Sequence, residues 1–127
     1  MSQLTAVILG ASADRRKFGN KSVRAHLHAG YRVYPVNPQA GEIEGLVVCS
    51  SLSAVPIRGV ERVSVYVPPA VGITLLEEIA ALQPHQVWLN PGTSDDALLA
   101  EADVIGLNVI QGCSIVDLGL SPGQFSD

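Results

Sequence analysis

The apolar positions of this chain change period along its length. "LTAVILG" (4–10) is an almost unbroken apolar run ending in glycine. "YRVYPVN" (31–37), "ERVSVYV" (61–67), "HQVWLN" (85–90) and "LNVIQG" (107–112) are equally short and rich in β-branched and aromatic residues. Such runs, bounded by Gly, Pro and Asn, predict strands. Between them the period becomes helical. "KSVRAHLHAG" (21–30) sets Val23 and Leu27 one turn apart and ends on Gly30, suited to a left-handed C-cap. "AVGITLLEEIAALQ" (70–83) carries an apolar stripe at Val71, Leu75, Leu76, Ile79 and Leu82. "SDDALLAEADVIG" (94–106) opens with Ser94 as a candidate N-cap, places acids in the first turn and stops at Gly106. Residues 38–59 are irregular, broken by Gly41, Gly45, Pro56 and Gly59, with room for a short strand near 46–48.

Strands alternating with helices at this spacing predict right-handed βαβ crossovers. The expected fold is α/β: a Rossmann-like, doubly wound, mainly parallel five-stranded sheet with helices on both faces. The 127 residues are expected to form one domain (1–127), large enough to bury a core without a disulfide or metal. Composition agrees, since hydrophobic residues make up 47% of the chain and aromatics only 5%, as aliphatic strands buried on both faces require. No apolar run approaches the ~20 residues of a membrane span, so no membrane partner is expected. The start, "MSQLTAVILG", lacks the basic region and cleavage site of a signal peptide. Cys49 and Cys113 lie far apart and form no CxxC pair. A reduced, cytoplasmic protein is the expectation.

Charge narrows the choice of ligand. Residues 1–62 hold all eight Lys and Arg with four acids (Asp14, Glu42, Glu44, Glu61), whereas residues 63–127 hold eight acids and no Lys or Arg. A nucleic-acid backbone would be repelled by one half of such a chain, so no nucleic-acid partner is expected. A small anion held at the basic corner fits. Five of the eight cations, Arg15, Arg16, Lys17, Lys21 and Arg24, fall within "RRKFGNKSVR".

Ligands of open α/β sheets bind beyond the carboxyl ends of the strands. Here those ends read Gly10-Ala11-Ser12, Asn37-Pro38, Pro68-Pro69-Ala70, Asn90-Pro91-Gly92-Thr93 and Gly112-Cys113-Ser114. Each alone is an ordinary turn; five on one edge point to a site that backbone can approach closely. "GAS" runs toward a helix, whose free N–H groups attract phosphate. It is not GxGxxG, because Ser12 takes the third position and Gly19 follows Gly10 at too long a gap. Val36-Asn37-Pro38 stand where an NAD-binding turn carries an acid for the ribose 2′-hydroxyl. A carboxylate would repel a ribose that carries its own phosphate. Arg15, Arg16 and Lys17 in the loop, with Lys21 opening the helix, suit a pyrophosphate plus such an extra phosphate; the alternative is a solvated basic loop.

These features, in this order, resemble the CoA-binding domain family. That is the Rossmann-like domain that begins the α-subunit of succinyl-CoA synthetase and also occurs as small stand-alone proteins. The resemblance covers about residues 4–118 through "VILGAS", "YRVYPVNPQAGEIEG", "VYVPPA" and "NPGTSDDALLAEADVIGLNVIQGCSIV". It implies CoA or acyl-CoA along the carboxyl edge of the sheet. Gly10, Ala11 and Ser12 would contact phosphate. Val36, Asn37 and Pro38 would flank the nucleotide. Val67, Pro68, Pro69 and Ala70 would pack on adenine or pantetheine, with Asn90, Pro91 and Gly92 near the pantetheine arm. Arg16, Lys17 and Lys21 are the candidate cations, with Lys17 or Lys21 opposite the 3′-phosphate.

The synthetase's phosphohistidine belongs to a second domain, and His26, His28 and His85 lie in no motif like it. His26, on the Val23/Leu27 side of its helix, is expected in the core; His28 and His85 are expected at the surface. No carboxylate pair, metal-ligand spacing or nucleophile–base motif is visible. The expected function is therefore a non-catalytic CoA or acyl-CoA binding module. It would act as carrier, sensor or partner subunit, as a homo-oligomer or beside an enzyme that handles acyl-CoA. The alternative is an NAD(P)-binding module or small oxidoreductase on the same fold. Cys113, on the proposed ligand edge, is either a buried structural cysteine or a thiol near that of CoA, able to form a mixed disulfide. Cys49 receives no role.

Overall fold

Side-chain alternation within the strands decides which of two layers each residue joins. The computed structural model describes residues 3–39 and 41–127. In chain order its elements are β1 (Thr5–Leu9), α1 (Phe18–His28), β2 (Arg32–Val36), the short antiparallel pair β3 (Glu42–Ile43) and β4 (Leu46–Val47), β5 (Arg62–Val65), α2 (Pro69–Ala81), β6 (Gln86–Leu89), α3 (Asp96–Ile105), β7 (Val109–Gln111) and α4 (Ser114–Asp117). Short 3-10 turns cover Leu52–Ala54 and Pro122–Gln124. Five strands form one all-parallel sheet in the order β2-β1-β5-β6-β7, the α/β Rossmann-like arrangement expected from the alternation. The chain winds outward from β1 to β2, then returns to add β5 on the other side of β1. The switch point of the topology therefore lies between β1 and β5, where such sheets open a crevice for ligands.

Val7, Leu9, Val63, Val65, Val87 and Leu89 face α2 and α3 and pack with Leu76, Ile79, Leu82, Leu98 and Ala102 in one buried cluster. Ala6, Ile8 and Val33 face the other way and pack with Ala11, Val23 and Tyr31 under α1. α4 lies on the α1 side. None of the described helices is long and apolar enough to cross a membrane.

Two local expectations change. The first helix begins at Phe18, three residues before the predicted start, and buries Gly19, Asn20, Ser22, Val23, Ala25 and His26 while Leu27 is exposed. The helix lies too close to β1 for large side chains, so its inner face is built of small and polar residues that apolar periodicity does not detect. The third helix is capped by Asp95, whose carboxylate accepts the Leu98 N–H at 2.8 Å; Ser94 instead donates to Gln111 Oε1. Gly106 stops that helix as expected, and does so in the left-handed region (φ 87°). The irregular segment does hold its short strand, at Leu46–Val47. It also returns to the sheet edge, where Cys49 N–H donates to Pro35 O and Asn37 N–H to Cys49 O.

Candidate functional site

Gly10 ends β1 at φ 87°, and a Cβ there would stand 3.0 Å from the carbonyl group of Tyr66. Only glycine takes this backbone without strain. The Gly10 and Ala11 N–H groups both donate to Val36 O. They are engaged by β2, so these residues offer an anion close approach rather than amide donors. The open donors are those of α1. Its N-cap, Lys17, supplies no side-chain hydrogen bond, and the Asn20 N–H turns back onto Lys17 O, which leaves the Phe18 and Gly19 N–H groups available at the positive end of the helix dipole. Gly19 brings that turn against β1, since a Cβ at Gly19 would collide with the Gly10 carbonyl oxygen. This is the work of the third glycine of a dinucleotide turn, close helix–strand packing. Sequence spacing hid it because the intervening loop is longer than the fingerprint allows.

Asn37 occupies the end of β2, where an NAD site would carry an acid. Its Nδ2 donates to Ala11 O at 2.8 Å and its Oδ1 accepts the Gln39 N–H at 2.8 Å. It ties the first two strand-end loops together. Between the ends of β1 and β5 a cleft of about 430 Å³ opens, lined by Gly10, Ala11, Ser12, Lys17, Phe18, Gly19, Asn37, Tyr66, Val67, Pro68, Pro91, Gly92 and Thr93. Nine of these are site residues expected from the sequence. Phe18, Gly19 and Tyr66 were missed, and Thr93 was read only as part of a turn. Phe18 carried one usable signal, an aromatic residue set among cations just before a predicted helix. Val36 and Pro38 line a separate cavity of about 160 Å³ with Leu52, Val67, Val71 and Leu75. Pro69 and Ala70 begin α2 and line neither cavity.

The basic run divides. Arg16 grips Asp14 through both Nε and Nη2 at 3.1 Å, and its own N–H donates to the same carboxylate at 3.0 Å. Those bonds hold the Asp14 carboxyl at about 2, below its ordinary value. Arg15 pairs with Glu44 at 3.4 Å. Arg24 donates to Arg15 O, Phe125 O and Ser126 O at 2.7–2.8 Å and to Asn20 Oδ1 at 2.8 Å, so it stitches the loop to the last residues. The Lys21 ammonium rests 5.7 Å from the Phe18 ring centroid. Among the described residues only Lys17 contributes a cation to the cleft wall.

Asn90 is buried and acts as a hub. Its Nδ2 reaches Ser64 Oγ and Val65 O at 2.9 Å and Trp88 O at 3.3 Å, and its Oδ1 accepts the Ser114 N–H at 2.9 Å. Ser114 Oγ lies 2.7 Å from Ser64 Oγ and 3.2 Å from the Tyr66 hydroxyl. Burial pushes the Tyr66 phenol up, against the pull of its hydrogen bonds to serines. Asn90 does not line the main cleft but borders a third, smaller cavity of about 110 Å³ with Phe18, Tyr66, Pro91 and Cys113. Cys113 is half-buried there. His26 is fully buried, as expected, whereas His28 and His85 are exposed. Arg62, the cation furthest along the chain, is also buried. It pairs with Asp117 at 2.8 Å and lies between the Tyr31 and Trp88 rings, 5.4 and 5.2 Å from their centroids.

A parallel doubly wound sheet with a glycine-floored cleft at its switch point defines a Rossmann-like α/β protein. Residues 5–119 match the family model of the CoA binding domain, and the chain belongs to that family. Among curated protein sequences none matches it. Solved structures do. A cell-free-produced protein of Thermus thermophilus is similar at 30% identity and TM-score 0.82, with 91% of this chain and 87% of that one covered. A conserved hypothetical protein of Pyrococcus furiosus is 29% identical at TM-score 0.80, with 91% and 99% covered. The acetyl-coenzyme A synthetase 1 of Ca. Korarchaeum cryptofilum, solved with phosphate and ADP, is 25% identical at TM-score 0.72; 84% of this chain corresponds to 25% of that one.

Proposed function

We propose that this protein binds CoA or acyl-CoA along the carboxyl edge of its sheet, as a non-catalytic module. One observation carries the reading: the cleft at the β1/β5 switch point combines a close-approach glycine turn, an open helix start and a single lysine, in a chain of the CoA-binding domain family. The phosphates would meet the first turn of α1 and Lys17. The nucleotide would lie toward Asn37 and Pro38, and the pantetheine arm would run past Val67 and Pro68 toward Pro91 and Gly92. The likeness to a quarter of an acetyl-coenzyme A synthetase supports a role as carrier, sensor or partner subunit beside acyl-CoA chemistry done elsewhere.

Calorimetric titration tests this directly. CoA should bind, and 3′-dephospho-CoA should bind a few-fold more weakly. Lys17→Met should weaken CoA about tenfold, the loss of one charge-assisted contact. Equal affinity for CoA and 3′-dephospho-CoA would remove the 3′-phosphate from the basic loop. An unchanged affinity in Lys17→Met would remove the lysine from the site.

A further inference from the structure

The small cavity beside the main cleft indicates which CoA species the protein accepts. Its wall is Phe18, Tyr66, Asn90, Pro91 and Cys113, and it holds about 110 Å³. It shares Phe18, Tyr66 and Pro91 with the main cleft, so a ligand passing Pro91 has this cavity as its neighbour. The wall is almost wholly apolar although two polar side chains belong to it. The Asn90 amide is engaged on both ends by Ser64, Val65, Trp88 and Ser114, and the Tyr66 hydroxyl is held by Ser114. Their polar atoms are taken by the layer behind, and carbon is left to face the cavity. Among the described residues no cation lines it. Residues 63–127 contain no Lys or Arg, Arg62 is bound to Asp117, and the Lys21 ammonium is held over the Phe18 ring.

We propose that this cavity receives the acyl group of a short, uncharged acyl-CoA, which makes acetyl- or propionyl-CoA the preferred class of ligand. The proposal rests on the reading that CoA occupies the main cleft. With about 30 Å³ for a water-sized atom, the space suits roughly four non-hydrogen atoms. A longer chain does not fit. An acyl group ending in a carboxylate would enter a mostly apolar site whose described lining holds no cation, where an unpaired charge is strongly disfavoured. This sets the chain apart from a binder of succinyl-type thioesters.

Titration under reducing conditions with CoA, acetyl-CoA, propionyl-CoA, octanoyl-CoA and succinyl-CoA decides it. Acetyl- and propionyl-CoA should bind roughly four- to fifteenfold more tightly than CoA, the gain from burying one or two methylene-sized groups. Octanoyl- and succinyl-CoA should bind more weakly than propionyl-CoA by about fivefold or more. Cys113→Leu fills the cavity and should abolish the preference for acetyl-CoA over CoA. Phe18→Ala, at a side chain that is 57% exposed, opens the wall and should bring octanoyl-CoA within about twofold of propionyl-CoA. CoA binding with equal affinity across the series would overturn the acyl cavity and leave the CoA reading standing. No binding of any of the five would overturn both. Should Cys113→Leu fail to fold, Phe18→Ala settles the matter, since an unaltered length preference in it would place the acyl group elsewhere.

Discussion

Gly19 and Lys17 sit two residues apart and do different work. Gly19 lets the first turn of α1 touch the β1 turn, and the atom that blocks any larger residue is a backbone carbonyl oxygen with little freedom to move. Gly19→Ala should therefore destabilise the fold by about 2 kcal/mol, read as a fall in Tm of roughly 8 °C. An unchanged Tm would mean that the helix start is not packed on β1. Lys17 matters because its neighbours are occupied. Arg15, Arg16 and Arg24 look equivalent to it in sequence, yet each is bound to an acid or a carbonyl. Which cation is free depends on where Asp14, Glu44 and the Phe125-Ser126 carbonyls come to lie, and no local pattern contains that.

Helix ends and helix faces carry the next set of consequences. For α3, Asp95→Ala should cost about 1 kcal/mol, because Leu98 N–H loses its acceptor. Ser94→Ala should stay within about 0.5 kcal/mol. Denaturant midpoints of the two variants measure the difference, and the reverse order would restore Ser94 as the cap. The inner face of α1 sets the response to acid. His26 Nδ1 lies 2.8 Å from Ser22 O, and a carbonyl only accepts, so Nδ1 carries the hydrogen of a neutral ring. Burial, with the Arg62 charge adding to it, pushes the imidazole down to about 4 despite the Ser22 hydrogen bond and the Asp117 carboxylate. An unfolded chain takes that proton near pH 6.5. Between about pH 6.5 and 4 the unfolded state thus binds more protons than the folded one. Stability from this group is complete above that window and is lost as pH falls through it, by about 3 kcal/mol in all. Urea titrations at pH 7 and pH 4.5 should show the loss, and His26→Gln should flatten it.

At the scale of the whole molecule, the order β2-β1-β5-β6-β7 puts the switch point, the glycine turn and the start of α1 at one place. A ligand seated there binds only the folded state and raises its stability by mass action. CoA at about a hundred times its Kd should add roughly 2.7 kcal/mol, a Tm rise on the order of 10 °C. NAD should leave the Tm within about 1 °C, because Asn37 offers no carboxylate to a ribose 2′-hydroxyl. A thermal-shift panel reads this in one plate. A rise with NADP equal to that with CoA would bring back the dinucleotide alternative.

By itself the sequence determined the succession of strands and helices, the α/β class and the five loops at the carboxyl ends of the strands. Those follow from period, glycine, proline and strand length, which are local properties that the backbone obeys wherever the segment ends up. The left-handed Gly30, the helix stop at Gly106 and the strand at 46–47 were legible for the same reason. Only tertiary structure decided the rest. It placed Gly19 on Gly10 across an eight-residue interval that no fingerprint spans. It paired Arg15 with Glu44 and Arg62 with Asp117, partners 29 and 55 positions apart. It closed the small cavity from residues 18, 66, 90, 91 and 113. Each of these depends on how the parallel strands and their crossovers bring distant segments into contact, and such contacts exist only after the chain has folded.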